Sequence, residues 1–76
     1  MSHYRWENRQ TNRYYRVLLA QDLLGHWVIT RVWGNINQPS GRMSHMACTS
    51  KDEAVKLVDK IAKIRTTRGY VACGYL

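Results

Sequence analysis

The segment SKDEAVKLVDKI, which begins at Ser50, restricts the fold of this chain more than any other. Glu53 follows Ser50 by three residues, the capping-box spacing that pairs two otherwise unpaired N–H groups at a helix start. Apolar residues then recur every three or four positions and predict one buried stripe, made of Ala54, Leu57, Val58, Ile61 and Ile64. A helix with one apolar stripe needs a second layer of structure to cover it, so the remaining segments must supply that layer.

The segments around this helix are typical of β-strands. RYYRVLLAQ and HWVITRVW are rich in β-branched, aromatic and aliphatic residues, and DLLG between them provides turn residues, so a β-hairpin is predicted. Pro39 and its polar neighbours indicate a loop, and the further strand candidates are HYRWENR, RMSHMACT and YVACGY. We expect one α+β domain over residues 1–76, a small antiparallel sheet of four to five strands with the helix on one face.

The charge of the chain indicates the class of its partner. With 12 Lys and Arg against 5 Asp and Glu, the formal net charge is +7, which is typical of domains that bind polyanions. Solubility alone is the other explanation for such a charge. Two cysteines are too few for a disulfide framework, and no signal-peptide or membrane-spanning run is present, so we expect a soluble cytoplasmic protein without membrane contact.

The second strand of the predicted hairpin carries a mixed face. Strand alternation places Trp27, Ile29, Arg31 and Trp33 on one side, and an arginine between two tryptophans argues against a wholly buried surface. We expect the helix to cover one side of the sheet and the other side to be at least partly open near Trp33. The sequence does not determine which side the helix takes.

Together these segments resemble the WGR domain family. The resemblance rests on NRYYRVLL, RVWGN, a loop with Gly41, the helix SKDEAVKLVDKI and the closing RTTRGY, in that order over nearly the whole chain. Asn35 stands where the family has the arginine of its Trp-Gly-Arg triplet. The resemblance implies an antiparallel sheet with a flanking helix, and bacterial members of the family often occur alone or attached to unrelated domains.

The resemblance also implies a function, because in poly(ADP-ribose) polymerases the tryptophan of the triplet packs near the sugar and base at a DNA end. That role would pass to Trp33, and Gly34 would let the backbone turn sharply beside it and allow close approach. In those polymerases the arginine of the triplet takes part in contacts to neighbouring domains. That role is not carried over to Asn35. On chemical grounds, a tryptophan flanked by arginines can stack on an unpaired base while cations hold phosphates. The cations expected to do so are Arg31, Arg42, Lys63, Arg65 and Arg68.

Other interpretations remain open at this stage. Trp33 could instead be a half-buried anchor for the loop, and the helix cations a solvated surface. The alternative function is a protein-interaction module in which Trp33 anchors an acidic partner. A third is a structural dimer that buries Trp33 against its own copy, so the chain could be a monomer or a homodimer. We expect DNA rather than RNA as the nucleic acid.

We expect no enzymatic activity, no cofactor and no metal. No Ser or Cys has a base that the pattern places for catalysis, and no glycine-rich phosphate loop is present. His45 and Cys48 lie three apart on a predicted strand, so they would face opposite sides, and we expect both Cys48 and Cys73 to be small buried residues with free thiols.

Overall fold

The computed structural model describes residues 2–38 and 41–73. Its elements, in chain order, are β1 (Ser2–Asn8), β2 (Arg13–Gln21), β3 (Trp27–Asn35), β4 (Arg42–Cys48), α1 (Lys51–Thr67) and β5 (Val71–Ala72). The strands form one sheet in the order β4-β3-β2-β1-β5, with every neighbouring pair antiparallel. The predicted α+β fold is therefore confirmed, although the last strand is shorter than YVACGY, whose final residues lie outside the described ranges.

The predicted hairpin is formed by β2 and β3 and is closed by a turn that Asp22 organises. Its Oδ1 atom accepts hydrogen bonds from the backbone N–H groups of Leu24 and His26, both at 2.9 Å, and Gly25 has a φ of +84°. These contacts lower the pKa of the Asp22 carboxyl, above all through the backbone hydrogen bond from His26. The turn leaves Leu23 and Leu24 exposed at its tip.

Helix α1 begins as the capping motif predicts, with one difference in detail. Ser50 is the N-cap, and its Oγ accepts from the backbone N–H of Glu53 at 3.1 Å. The Glu53 carboxylate accepts from the hydroxyl and N–H of Thr49, at 2.7 and 3.2 Å. These hydrogen bonds from Thr49 lower the pKa of Glu53. In a capping box the glutamate accepts from the backbone N–H of the N-cap residue, here Ser50. Glu53 accepts from Thr49 instead, one residue earlier.

The core lies between α1 and one face of the sheet. Val17 and Ile29 have no exposed surface, and of the predicted helix stripe Ala54, Val58 and Ile61 are buried and Leu57 is half-buried. Ile64 is 39% exposed, contrary to the prediction. The helix position four residues after Ile61 is Arg65, which is half-buried. Arg65 therefore occupies the place in the buried stripe that we expected for Ile64.

The path of α1 over the sheet leaves one corner free. At its start, the Nζ atom of Lys51 lies 5.6 Å from the centre of the Trp27 ring. At its end, Arg65 lies over Tyr15, and the Asn8 side chain donates to the carbonyl oxygen of Arg68 at 3.3 Å. The helix therefore crosses from the β3–β4 side to β1, and the corner where β3 ends and β4 begins lies off its path. In the described part of the chain, no helix has the length and apolar character that crossing a bilayer requires.

Candidate functional site

A row of aromatic side chains crosses the helix-bearing face next to this corner. Strand pairing sets Trp6 of β1, Tyr15 of β2 and Trp33 of β3 side by side, and Arg42 of β4 follows Trp33. The rings of Tyr15 and Trp33 are stacked with their centres 6.0 Å apart and an angle of 18° between planes. The rings of Trp6 and Tyr15 meet edge to face at 6.3 Å. The row holds the Trp33 indole in one orientation at the end of the core.

Trp33 lies on the same side of the sheet as α1, not on the open side as we expected. Ile29 is in the core under the helix, and Trp33 is four residues later on the same strand, so both side chains point the same way. Trp33 is half-buried and packs against the edge of the core. It is partly accessible because α1 does not cover this corner.

The accessible part of Trp33 lines a polar pocket of about 390 Å³. Two arginines, two amides and two glycines complete the lining, which consists of Arg13, Gly34, Asn35, Gln38, Gly41 and Arg42. None of these described lining residues is acidic. The pocket therefore combines an aromatic wall with positive charge and amide groups, which suits an anionic ligand with a planar group.

Asn35, which occupies the third position of the triplet, organises one wall of this pocket. Its Oδ1 atom accepts from the backbone N–H of Asn37 at 2.9 Å and from the side-chain amide of Asn12 at 3.1 Å. Asn12 adopts a left-handed conformation with a φ of +59°. Asn35 thus joins the loop after β3 to the turn before β2, a role for which a short acceptor side chain is required.

The sharp backbone turn expected at Gly34 is absent. Gly34 lies within β3 opposite Tyr14 and does not have a positive φ, so the chain makes no sharp turn there. A Cβ atom at Gly34 would lie 3.2 Å from the Cα of Gly41 and 3.4 Å from the Tyr14 ring. Gly34 is therefore needed for the close approach of the returning loop to β3 and not for backbone freedom.

Arg31 lies beside Trp33 on the helix-bearing face. Its guanidinium carbon is 5.9 Å from the centre of the Trp33 ring, and its Nη2 donates to the hydroxyl of Ser44 at 3.1 Å. The residue is half-buried, and its Nε atom is buried without a hydrogen-bond partner among the described residues. Arg31 adds positive charge near the pocket, but it does not line it.

The three cations predicted on the helix are not among the residues that line the pocket. The guanidinium of Arg65 lies 4.3 Å from the Tyr15 ring centre and 5.0 Å from that of Tyr70, so it supports the aromatic row from above. Lys63 and Arg68 line a shallow hollow at the end of α1 and are absent from the lining of the Trp33 pocket.

The residues considered for a metal site are placed apart. His45 lies on the open face, where its Nδ1 atom is 2.9 Å from the Thr30 hydroxyl, while Cys48 points into the core. Both cysteines are free. Burial raises the pKa of the Cys48 thiol. Cys73 is only half-buried, which differs from the expectation that both thiols are buried.

Sequence reasoning missed the contribution of Arg13, Gln38 and Tyr15 to this site. Arg13 and Tyr15 are two residues apart, so alternation puts both on one face of β2. Only the pairing of β2 with β3 sets Arg13 opposite Asn35 and Tyr15 opposite Trp33. A fixed hairpin register, counted outward from the Asp22 turn, is the signal that would have found both.

Comparison with known proteins identifies the domain type. A family model described as the WGR domain matches residues 3–74, nearly the whole chain. No curated protein matches the chain, and no solved structure matches it.

Proposed function

Because the chain belongs to the WGR domain family, we propose that it is a non-enzymatic module that binds nucleic acid through the corner that holds Trp33. The ligand would be a DNA end or a single-stranded segment in preference to internal duplex or RNA. WGR domains generally bind nucleic acid, which supports the class of ligand. The proposed mode of binding rests on the pocket described above.

The observation that carries the proposal is the half-buried indole of Trp33 in a basic pocket without acidic lining residues. Tyr15 stacks against Trp33 and Arg65 lies over Tyr15, so the indole is preorganised and loses little freedom when a base contacts it. An unpaired base at a terminus or in a single strand has a free face for this contact, whereas a base inside duplex does not. Base stacking of this kind contributes about 1–3 kcal/mol.

Positive charge on both sides of Trp33 supports phosphate binding. Arg42 is exposed and lines the pocket from β4, and Arg13 lines it from β2. Arg31 is held by Ser44 beside the indole and would act mainly through its charge. We assign direct phosphate contacts to Arg42 and Arg13, a supporting role to Arg31, and general attraction to Lys63 and Arg68. Arg65 would position the aromatic row.

Fluorescence anisotropy with labelled oligonucleotides tests the proposal. Single-stranded, blunt duplex and hairpin-closed duplex DNA, with single-stranded RNA, are titrated at two salt concentrations. We expect single strands and free ends to bind more tightly than closed duplex. Trp33→Ala should weaken binding about 5- to 150-fold, the equivalent of one stacked base. Arg42→Ala should also reduce the slope of log affinity against log salt by about one.

Two control variants test whether these losses of affinity are specific to the pocket. Trp27 is a half-buried tryptophan on the same face of β3, at its far end from the pocket, and Trp27→Ala should leave affinity nearly unchanged. Lys56 is an exposed helix cation, so Lys56→Ala removes the same charge as Arg42→Ala away from the pocket. All variants are compared by circular dichroism first. Absence of binding at low salt would refute the proposal and direct the search to an acidic protein partner.

A further inference from the structure

Strand β4 forms an edge of the sheet that nothing in the described chain protects. It is the terminal strand, pairs only with β3, and spans seven residues from Arg42 to Cys48. Edge strands in natural proteins are usually guarded by prolines, internal charges, bulges or short length. The sequence RMSHMAC contains no proline and has a charge only at its first residue. On the opposite side of the sheet, β5 is two residues long and pairs with β1 at Trp6 and Glu7, so the edge there is divided between β5 and β1.

The side chains of β4 extend apolar surface to this edge on both faces of the sheet. Met43 on the open face is 61% exposed, and Met46 on the helix-bearing face is 39% exposed. Ala47 is also exposed on the open face. The edge therefore presents both unpaired backbone groups and apolar side chains, which are the two components of strand-to-strand association.

We propose that two copies of this chain associate by antiparallel pairing of their β4 strands around a two-fold axis at His45. This register pairs all seven residues, because His45 is the middle of the strand. It places His45 opposite His45 of the second copy and Met43 opposite Ala47 of the second copy. Any shift of the register leaves backbone groups unpaired at both ends. The proposal does not depend on nucleic-acid binding.

The side chains of β4 favour a second copy over an acidic peptide at this edge. Each copy carries a net charge of +7, which opposes self-association in general. The two Arg42 residues lie at opposite ends of the paired strands, about 20 Å apart for a seven-residue strand, and therefore repel weakly. Beyond Arg42 the strand has no charged side chain with which to select an acidic partner. Its pattern of methionine opposite alanine is complementary to itself.

The arrangement has a geometric consequence for the Trp33 pockets. A two-fold axis perpendicular to the sheet leaves both helices on one side of a continuous sheet. Because Trp33 pairs with Arg42, the two pockets lie on that same side, at opposite ends of the new interface. The dimer therefore displays two identical surfaces in one direction.

Disulfide trapping tests the register directly. In a Cys73→Ser background, His45→Cys places two thiols opposite each other, within the Cα distance of about 4.4–6.8 Å that a disulfide requires. Oxidation should give a dimer on non-reducing gels. Met43→Cys is the matched control on the same face of β4, and its two copies lie four residues apart along the paired strands, out of reach. Equal trapping at both positions, or none at position 45, would overturn the proposal.

Light scattering after size exclusion, on nuclease-treated protein at high salt, measures the mass without trapping. The expected mass is twice the 8.9 kDa of one chain. Ala47→Lys places an exposed charge at the edge and should weaken dimerisation at least about tenfold without loss of the circular dichroism spectrum. Leu23→Ser with Leu24→Ser removes the exposed apolar side chains of the β2–β3 turn, away from β4, and should leave the dimer intact. A monomeric wild type, or a dimer lost only in the leucine variant, would refute pairing through β4.

Discussion

Replacement of Gly41 by alanine tests how the returning loop is held against the sheet. A Cβ atom at Gly41 would overlap the hydroxyl oxygen of Tyr14 and lie 2.8 Å from the carbonyl oxygen of Trp33. Neither group can move cheaply, because Tyr14 is only 8% exposed and the Trp33 carbonyl belongs to the backbone of β3. Forced overpacking of this kind costs about 1–3 kcal/mol.

Gly41→Ala should lower both the free energy of unfolding and the affinity for oligonucleotides. For a domain of this size, that destabilisation lowers Tm by about 4–24 °C. Thermal and urea unfolding followed by circular dichroism measure it, with a lower urea midpoint at an unchanged slope. Gly41 also lines the Trp33 pocket, so oligonucleotide affinity should fall in the variant even where it remains folded.

A double-mutant cycle separates this steric cause from a general effect of losing a glycine. Tyr14→Phe removes the hydroxyl oxygen and one of the two close contacts, so Gly41→Ala should cost at least about 0.5 kcal/mol less in that background, although the cost should not fall to zero. Gly25 provides the control, because its added Cβ has no neighbour within 4 Å although its φ is +84°. Gly25→Ala should show a backbone penalty and no coupling to Tyr14. A neutral Gly41→Ala, or an equal cost in both backgrounds, would refute the reasoning.

Three further predictions concern stability. Ile29 has no exposed surface, so Ile29→Ala should cost about 2–5 kcal/mol in urea unfolding, and a loss below 1 kcal/mol would contradict its central place in the core. Ser50→Ala removes the acceptor for the Glu53 N–H and should cost about 0.5–2 kcal/mol, whereas Ser50→Asp should restore most of it. The ring of His3 accepts from Arg16 Nε at 2.9 Å, and burial, then the charge of Arg16, lowers its pKa below 6.5. Its neutral form therefore stabilises the fold above pH 6.5, and this contribution is lost as the pH falls through the lower folded value. Thermal melts should show wild type losing more stability than His3→Gln between about pH 7 and 5, and parallel curves would contradict this.

The elements of the fold could be predicted because each depends on neighbouring residues. The turn between β2 and β3 needs the Asp22 acceptor and a glycine at positive φ, and both are visible in DLLG. The start of α1 follows from the spacing of Ser50 and Glu53. Three of the expected site residues, Trp33, Gly34 and Arg42, do line one pocket, because they occupy adjacent positions on two paired strands.

The sequence by itself determined the strands, the helix and the excess of positive charge, because propensity, periodicity and capping act over a few residues. Only the tertiary structure decided that α1 covers the face bearing Trp33, and that it does so diagonally and leaves one corner free. The same packing directs Arg65 onto Tyr15 and away from the pocket, while strand pairing brings Arg13 into it. These outcomes depend on contacts between residues far apart in the chain, which alternation along a single strand does not specify.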